Sequence, residues 1–209
     1  MRTAMTVKKA YHITDVGNLA GIIATTGLVS DARMQGVPST AIGYGHIKER
    51  RLKEFKVPCA VGQPFVGEFV PFYYCPRSVM LFTVNRGATG RPEGCQRTIL
   101  HLVTDTDMLI AGGREWAISD GNAGAAHTSF YNSVSALDQL DWSSIRATYW
   151  SGKQHQKAAE FLVRDFVPWS AFTEVACYDD QVAVQVTNII QSGGSPHRPL
   201  VTVKKEWYY

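Results

Sequence analysis

Apolar positions along the chain follow two spacings, and the spacing assigns the elements. Tyr11-His12-Ile13-Thr14 reads as a short strand. Val16, Leu19, Ile22 and Ile23 then recur at helical intervals and predict a helix over 15–26, with Thr14 or Asp15 as N-cap and Gly27 as C-cap. Residues 30–43 hold Gly, Pro, Ser and Thr without a period and read as a loop. A charged helix over about 46–56 follows and stops before Pro58. Residues 69–75 form an aromatic strand, and 80–84 and 98–103 read as further strands. A short helix and another strand are expected within 104–117, a long surface loop over 119–133 and a helical turn in 142–150. Residues 160–167, 174–178 and 200–205 complete the strands, with a helix over 179–191 between the last two. No repeat, linker or low-complexity tract interrupts this series, so one α+β domain over 1–209 is the simplest organisation.

Composition narrows the class. At 45% hydrophobic and 19% charged, the 209 residues can bury an ordinary core. No apolar run approaches the ~20 residues that span a bilayer. The basic start, Met1 to Lys9, has no apolar stretch behind it, so a cytoplasmic protein without a secretory leader and without membrane contact is expected. Cys59, Cys75, Cys95 and Cys177 form no Cys-x-x-Cys pair and the six histidines are scattered, which argues for reduced thiols and no metal. Residues 1–60 carry nine Lys/Arg against four Asp/Glu, a local charge of +5, while the rest sums to −2. That basic third suits a polyanion such as a pyrophosphate or a nucleic-acid backbone, although solvated surfaces show similar excesses.

Two charged residues stand out against apolar patterns. The strand from Glu160 is apolar on both faces, through Leu162 on one and Phe161 and Val163 on the other, yet it begins with a carboxylate. Buried there, Glu160 needs a partner or a task; otherwise it is a strand-end side chain that reaches water. On a helical wheel Ile47, Arg51 and Phe55 stack, which places Arg51 inside the apolar arc, while Arg50 lies outside it, four residues before Glu54. An inward guanidinium meets a carboxylate or phosphate, or lays its stem on the core with its head in solvent. His12 precedes a helix N-terminus, a natural anion or ribose site, but a core histidine bonded to backbone fits as well. Phe72, Tyr73 and Tyr74 serve either as sheet packing or as a platform for a flat ring. No Gly-x-Gly-x-x-Gly, Walker loop, Gly-x-Ser-x-Gly or His-Glu-x-x-His occurs, which removes the common Rossmann, NTPase, hydrolase and zincin readings.

Five segments taken together resemble the DarT family of DNA ADP-ribosyltransferases. They are Tyr11-His12-Ile13-Thr14, Tyr44-Gly45-His46-Ile47-Lys48-Glu49-Arg50-Arg51, Val70-Pro71-Phe72-Tyr73-Tyr74-Cys75-Pro76-Arg77-Ser78, Ile99-Leu100-His101-Leu102 and the closing Trp207-Tyr208-Tyr209. The likeness runs from about residue 10 to the C-terminus, and is greatest to the branch that modifies thymidine in single-stranded DNA. It implies an ADP-ribosyltransferase-like α+β fold: two packed β-sheets with NAD, the ADP-ribose donor, in the cleft between them, and flanking helices. It further implies that His12, Ile13 and Thr14 anchor NAD, with contacts from Gly21, Val29 and Tyr74. Arg51, at the end of an NAD-covering loop and helix, matches the catalytic arginine, which also holds NAD, and Glu160 the catalytic glutamate. A substrate loop over roughly 127–160 brings His127 to the DNA side, joined by Tyr44 and Met80. The implied role of Glu160 is to stabilise positive charge developing on the ribose as nicotinamide departs. The resemblance also implies a toxin acting as a monomer, with a macrodomain antitoxin as its partner.

Two further classes fit the residues: the same chemistry on RNA or protein, and a catalytically silent nucleic-acid-binding module. An inward Arg51 together with Glu160 argues against the second, because a plain binder needs no buried carboxylate.

Overall fold

The computed structural model describes residues 7–209, so most of the basic start read above for a leader lies outside the described residues. The elements run β1 (Lys9–Asp15), α1 (Leu19–Ala24), β2 (Gly27–Val29), α2 (Gly45–Lys53), β3 (Phe69–Tyr73) and α3 (Val79–Asn85). Then come β4 (Ile99–Asp105), α4 (Thr106–Ala111), β5 (Trp116–Ser119), β6 (Phe130–Tyr131), α5 (Trp142–Ile145) and α6 (Gln154–Lys157). The chain closes with β7 (Glu160–Arg164), β8 (Phe166–Pro168), β9 (Glu174–Cys177), α7 (Asp180–Ser192) and β10 (Leu200–Val203).

Eight strands line up in the order β10-β9-β4-β1-β3-β7-β5-β6, and β2 pairs with β8 in a small second sheet. All pairings in the large sheet are antiparallel except β9–β10. Its centre is a seam. β1 is registered with β4 over its whole length, from Lys9↔Asp105 to Asp15↔Ile99, but with β3 only at Tyr11↔Tyr73. The sheet is thus two four-stranded halves joined at one pair, and from His12 onward the β3-facing edge of β1 has no registered partner. Backbone groups along such an edge need other acceptors and donors, which makes the seam a place to bind something.

Packing follows the same division. One face of both halves shares a continuous core with α1 and α7, including Ala10, Leu19, Phe72, Leu102, Phe161 and Val186. The opposite face is covered by two separate clusters. Val57, Val66, Phe69 and Leu162 cover one half; Ile13, Leu81, Val84, Ile99 and Tyr208 cover the other.

Several sequence expectations need correction. Residues 80–84 are not a strand but lie in α3, because the Ser78 hydroxyl accepts the Leu81 N–H at 3.1 Å and starts a helix whose buried residues, Leu81 and Val84, are three apart. The first helix is shorter than expected: Asp15 caps a 3-10 turn at Val16–Asn18, and α1 ends at Ala24. Gly27 opens β2 instead of capping the helix, and Thr26 makes the turn with φ of 62°. The expected strand over 160–167 breaks at Asp165, whose φ of 64° sends β7 and β8 into different sheets. The expected loop over 119–133 contains β6.

Candidate functional site

Glu160 opens β7 opposite Tyr73 of β3, so both side chains share the face divided between the two smaller clusters. The ladder between β5 and β7 ends at Ile118↔Phe161, and the Ser119 hydroxyl accepts the next backbone N–H, from Glu160, at 3.1 Å. The same hydroxyl donates to Gly121 O at 2.7 Å. Glu160 is fully buried, and its carboxylate is satisfied. Arg51 Nη1 donates to Oε1 at 3.0 Å, Arg51 Nη2 to Oε2 at 2.8 Å and the Ala123 N–H to Oε1 at 2.9 Å.

Arg51 reaches this carboxylate from α2, and its side chain is only 12% exposed. The inward direction agrees with the helical wheel, but the apolar arc behind it does not: α2 has no buried residue, and Ile47 is 37% exposed. What holds Arg51 inward is the carboxylate. Burial alone would lower the guanidinium pKa, and Glu160 more than offsets it, leaving the pKa raised. Arg50 points to solvent and pairs with Glu54 at 2.8 Å.

His12 stands at the seam. Its Nδ1 lies 2.9 Å from Pro71 O, a pure acceptor, so Nδ1 carries the proton and the ring bridges the strands where their pairing stops. Burial holds its pKa below the ordinary histidine value. The Asp31 carboxylate acts on both His12 and Arg51, so both ends of the candidate site feel one charge. Thr14 is buried, and its hydroxyl accepts from Asn18 Nδ2 at 3.1 Å. Asn18 in turn clasps Thr40 of the 30–43 loop through Nδ2→O at 2.9 Å and Thr40 N→Oδ1 at 2.7 Å. The side chain of Ile13 packs with Leu81 and Ile99, and its backbone is registered with His101 of β4.

The remaining candidates are more dispersed. Gly21 is exposed on α1 with open space where a Cβ would stand, and Val29 ends β2 against Phe166; neither is hydrogen-bonded to Arg51, Glu160 or His12. Tyr74 packs in the main core with its ring 5.3 Å from Trp142, and its hydroxyl has no partner among the described residues. The tyrosine on the carboxylate's side is Tyr73, whose pKa is raised by burial and by Glu160. Tyr44 is the N-cap of α2, and Met80 Cε lies within 2.8 Å of the Cβ position of the preceding Gly43, which brings these two together. His127 packs on His155 with ring centres 4.1 Å apart and the rings tilted by 41°.

Sequence reasoning missed Ser119, the Ala123 N–H, Asn18 and His155. Backbone donors leave no signature in a sequence; Asn18, four residues after Thr14 on the turn into α1, had one. Among the described residues no group of three or more His, Cys, Asp or Glu is placed to hold a metal ion, and no helix is long and apolar enough to cross a membrane.

The arrangement offers a buried carboxylate held by a guanidinium, an unpaired strand edge and a loop clasped over it. That is what a transferase needs to orient a dinucleotide and stabilise cationic charge on its sugar. Known proteins share the fold over nearly the whole chain. A DNA ADP-ribosyl transferase of Thermus sp. (strain 2.9) is 38% identical over 203 residues, covering 95% of each chain. The structure described as Thermus sp. 2.9 DarT in complex with ADP-ribosylated ssDNA superposes with a TM-score of 0.90 at 36% identity, over 97% of this chain and 96% of the other. Thermus sp. 2.9 DarT in complex with NAD+ gives 0.85 at 32%, over 97% and 98%. Residues 11–209 match the family described as DarT, ssDNA thymidine ADP-ribosyltransferase. With the fold and the family match in agreement, the chain belongs to the DarT family.

Proposed function

We propose that this chain transfers ADP-ribose from NAD to thymine in single-stranded DNA, as the toxin of a toxin–antitoxin pair. The observation that carries the reading is the buried fork between Arg51 and Glu160 beside the unpaired edge of β1. NAD supplies the ADP-ribosyl group: its nicotinamide leaves with the bonding electron pair while positive charge develops on the ribose. Glu160 Oε2 accepts from Arg51 alone and has a second lone pair to take a ribose hydroxyl and stabilise that charge. His12, Thr14, Gly21 and Val29, with the Ile13 backbone, line the NAD side, and Tyr73 suits a ring contact better than Tyr74. Arg51 holds Glu160 and orients the acceptor; remaining a cation, it is a poor base. Tyr44, Met80 and His127 face the DNA. A base attacks through a ring nitrogen only once unstacked, which favours single strands, and its N–H proton leaves as the new bond forms.

The eight-stranded sheet, which draws strands from residue 9 to residue 203, supports one domain, and we infer a cytoplasmic monomer neutralised by a macrodomain antitoxin, on the strength of family membership. The deciding experiment incubates labelled NAD with single-stranded and duplex oligonucleotides, RNA and protein, and locates the added mass on the acceptor. Transfer to thymine in single strands is expected; transfer to protein alone would sink the reading.

A further inference from the structure

A cavity of about 100 Å³ opens at the end of β3, and neither Arg51 nor Glu160 is in its wall. The wall brings Arg77, Arg146 and Lys157 together with the rings of Trp207 and Tyr209, and Glu206 is its one acidic side chain. The three cations have no ion-pair partner among the described residues, and Lys157 is buried as well. Lys157 is 2% exposed, and its ammonium spends its three N–H groups on neutral acceptors, Ile145 O at 3.1 Å, Ala147 O at 2.8 Å and Cys75 Sγ at 3.5 Å, so it offers the cavity charge and no free donor. The Arg77 guanidinium lies 4.6 Å from the centre of the Tyr209 ring, and its Nε is buried without a hydrogen-bond partner.

A buried cation without a counter-ion is strongly unfavourable, and a buried N–H without an acceptor is rare. One oxyanion in the cavity supplies the counter-charge that these cations lack. The volume equals that of about three waters at ~30 Å³ each, room for a tetrahedral phosphate. Its surroundings suit a nucleic-acid strand. Lys157 stands three residues before Glu160, and the wall residue Thr148 leads into Tyr149, which is 93% exposed, and Trp150, whose ring packs on Phe82 of α3. A basic hollow beside an exposed aromatic is how proteins track single strands.

We infer that this cavity seats one backbone phosphate of the single-stranded DNA acceptor, outside the modified nucleotide; the inference rests on the DNA reading above. The test uses the whole chain and oligonucleotides in which one phosphate at a time is replaced by a neutral methylphosphonate. Neutralising one particular linkage should weaken binding severalfold in the wild type and add nothing in Arg77→Ala or Arg146→Ala. Each variant should also lower the slope of log affinity against log salt by about 0.7, with NAD affinity unchanged. A flat linkage scan, or one equally sensitive in the variants, overturns the inference alone, provided the wild type modifies single strands. If the wild type modifies none, both readings fall. Tight binding of inorganic phosphate with a flat scan would make this a free-anion site and overturn it too.

Discussion

Arg51 and Glu160, 109 residues apart in the chain, form a two-bond fork in which each guanidinium Nη donates to a different carboxylate oxygen. The pair is almost wholly withdrawn from water, so its two halves stabilise each other and neither is dispensable to the fold. Glu160→Gln is therefore expected to abolish transfer and to lower stability by up to about 3–5 kcal/mol, because Arg51 keeps its charge in a buried place. Replacing both, Arg51→Met with Glu160→Leu, should restore most of that stability while staying inactive. Turnover and denaturant midpoints on both variants check this. Wild-type turnover in the Gln variant would remove Glu160 from the chemistry.

The neighbouring arginines should separate cleanly. Arg51→Ala should cripple transfer, while Arg50→Ala breaks only a half-exposed pair with Glu54, worth well under ~1 kcal/mol. Arg51→Lys should rescue poorly, since one ammonium cannot make the two parallel bonds of the fork. Equal activity in the two alanine variants would refute the assignment.

Strands were legible in the sequence where a polar residue stands against an apolar pattern: His12 and Thr14 in β1 and the carboxylate at Glu160 in β7 show this. The segment from Val79 to Val84 did not reveal its helix because it is apolar at nearly every position, so no period distinguishes the two structures; the Ser78 cap decides it. The break after β7 was hidden because a non-glycine residue, Asp165, takes the left-handed turn. Strand phase also decides which aromatic faces the carboxylate. Tyr73 and Tyr74 are equivalent as letters, and only the register Tyr73↔Glu160 tells them apart.

Stability should fall with acid through His101. Burial pushes its pKa from 6.5 down to about 4, against the opposing bond to Pro76 O. The unfolded chain takes up a proton near 6.5 and the folded chain only near 4, so stability is lost as pH falls across that window, by about 3 kcal/mol. His101→Gln should flatten this stretch of a stability–pH curve measured by denaturant titration. An unchanged slope would show that other groups carry it.

Asn18 clasps the loop over 30–43 through both ends of its amide. Asn18→Ala should free that loop and weaken NAD binding by roughly fivefold, about 1 kcal/mol for two partly exposed bonds, with a melting temperature close to wild type. Calorimetric titration with NAD reads the effect directly. Unaltered affinity would mean the clasp does not govern the NAD side.

Gly121 and His155 supply the last prediction. A Cβ at Gly121 would lie 2.1 Å from His155 Nε2, 2.3 Å from Cε1 and 2.4 Å from Cδ2, so Gly121→Ala must displace that ring. The ring also has the His127 ring centre 4.1 Å from its own and Asp120 Oδ1 3.8 Å from its Nε2. Burial, then His127, lowers the His155 pKa against the opposing Asp120 carboxylate, and the placing of the ring depends on contact. Gly121→Ala should therefore raise the KM for the oligonucleotide while NAD affinity holds. In a His155→Ala background the same substitution should do nothing further, because the ring it collides with is gone. If it still impairs transfer there, the glycine acts instead through the backbone of 121–124, which also aims the Ala123 N–H at Glu160.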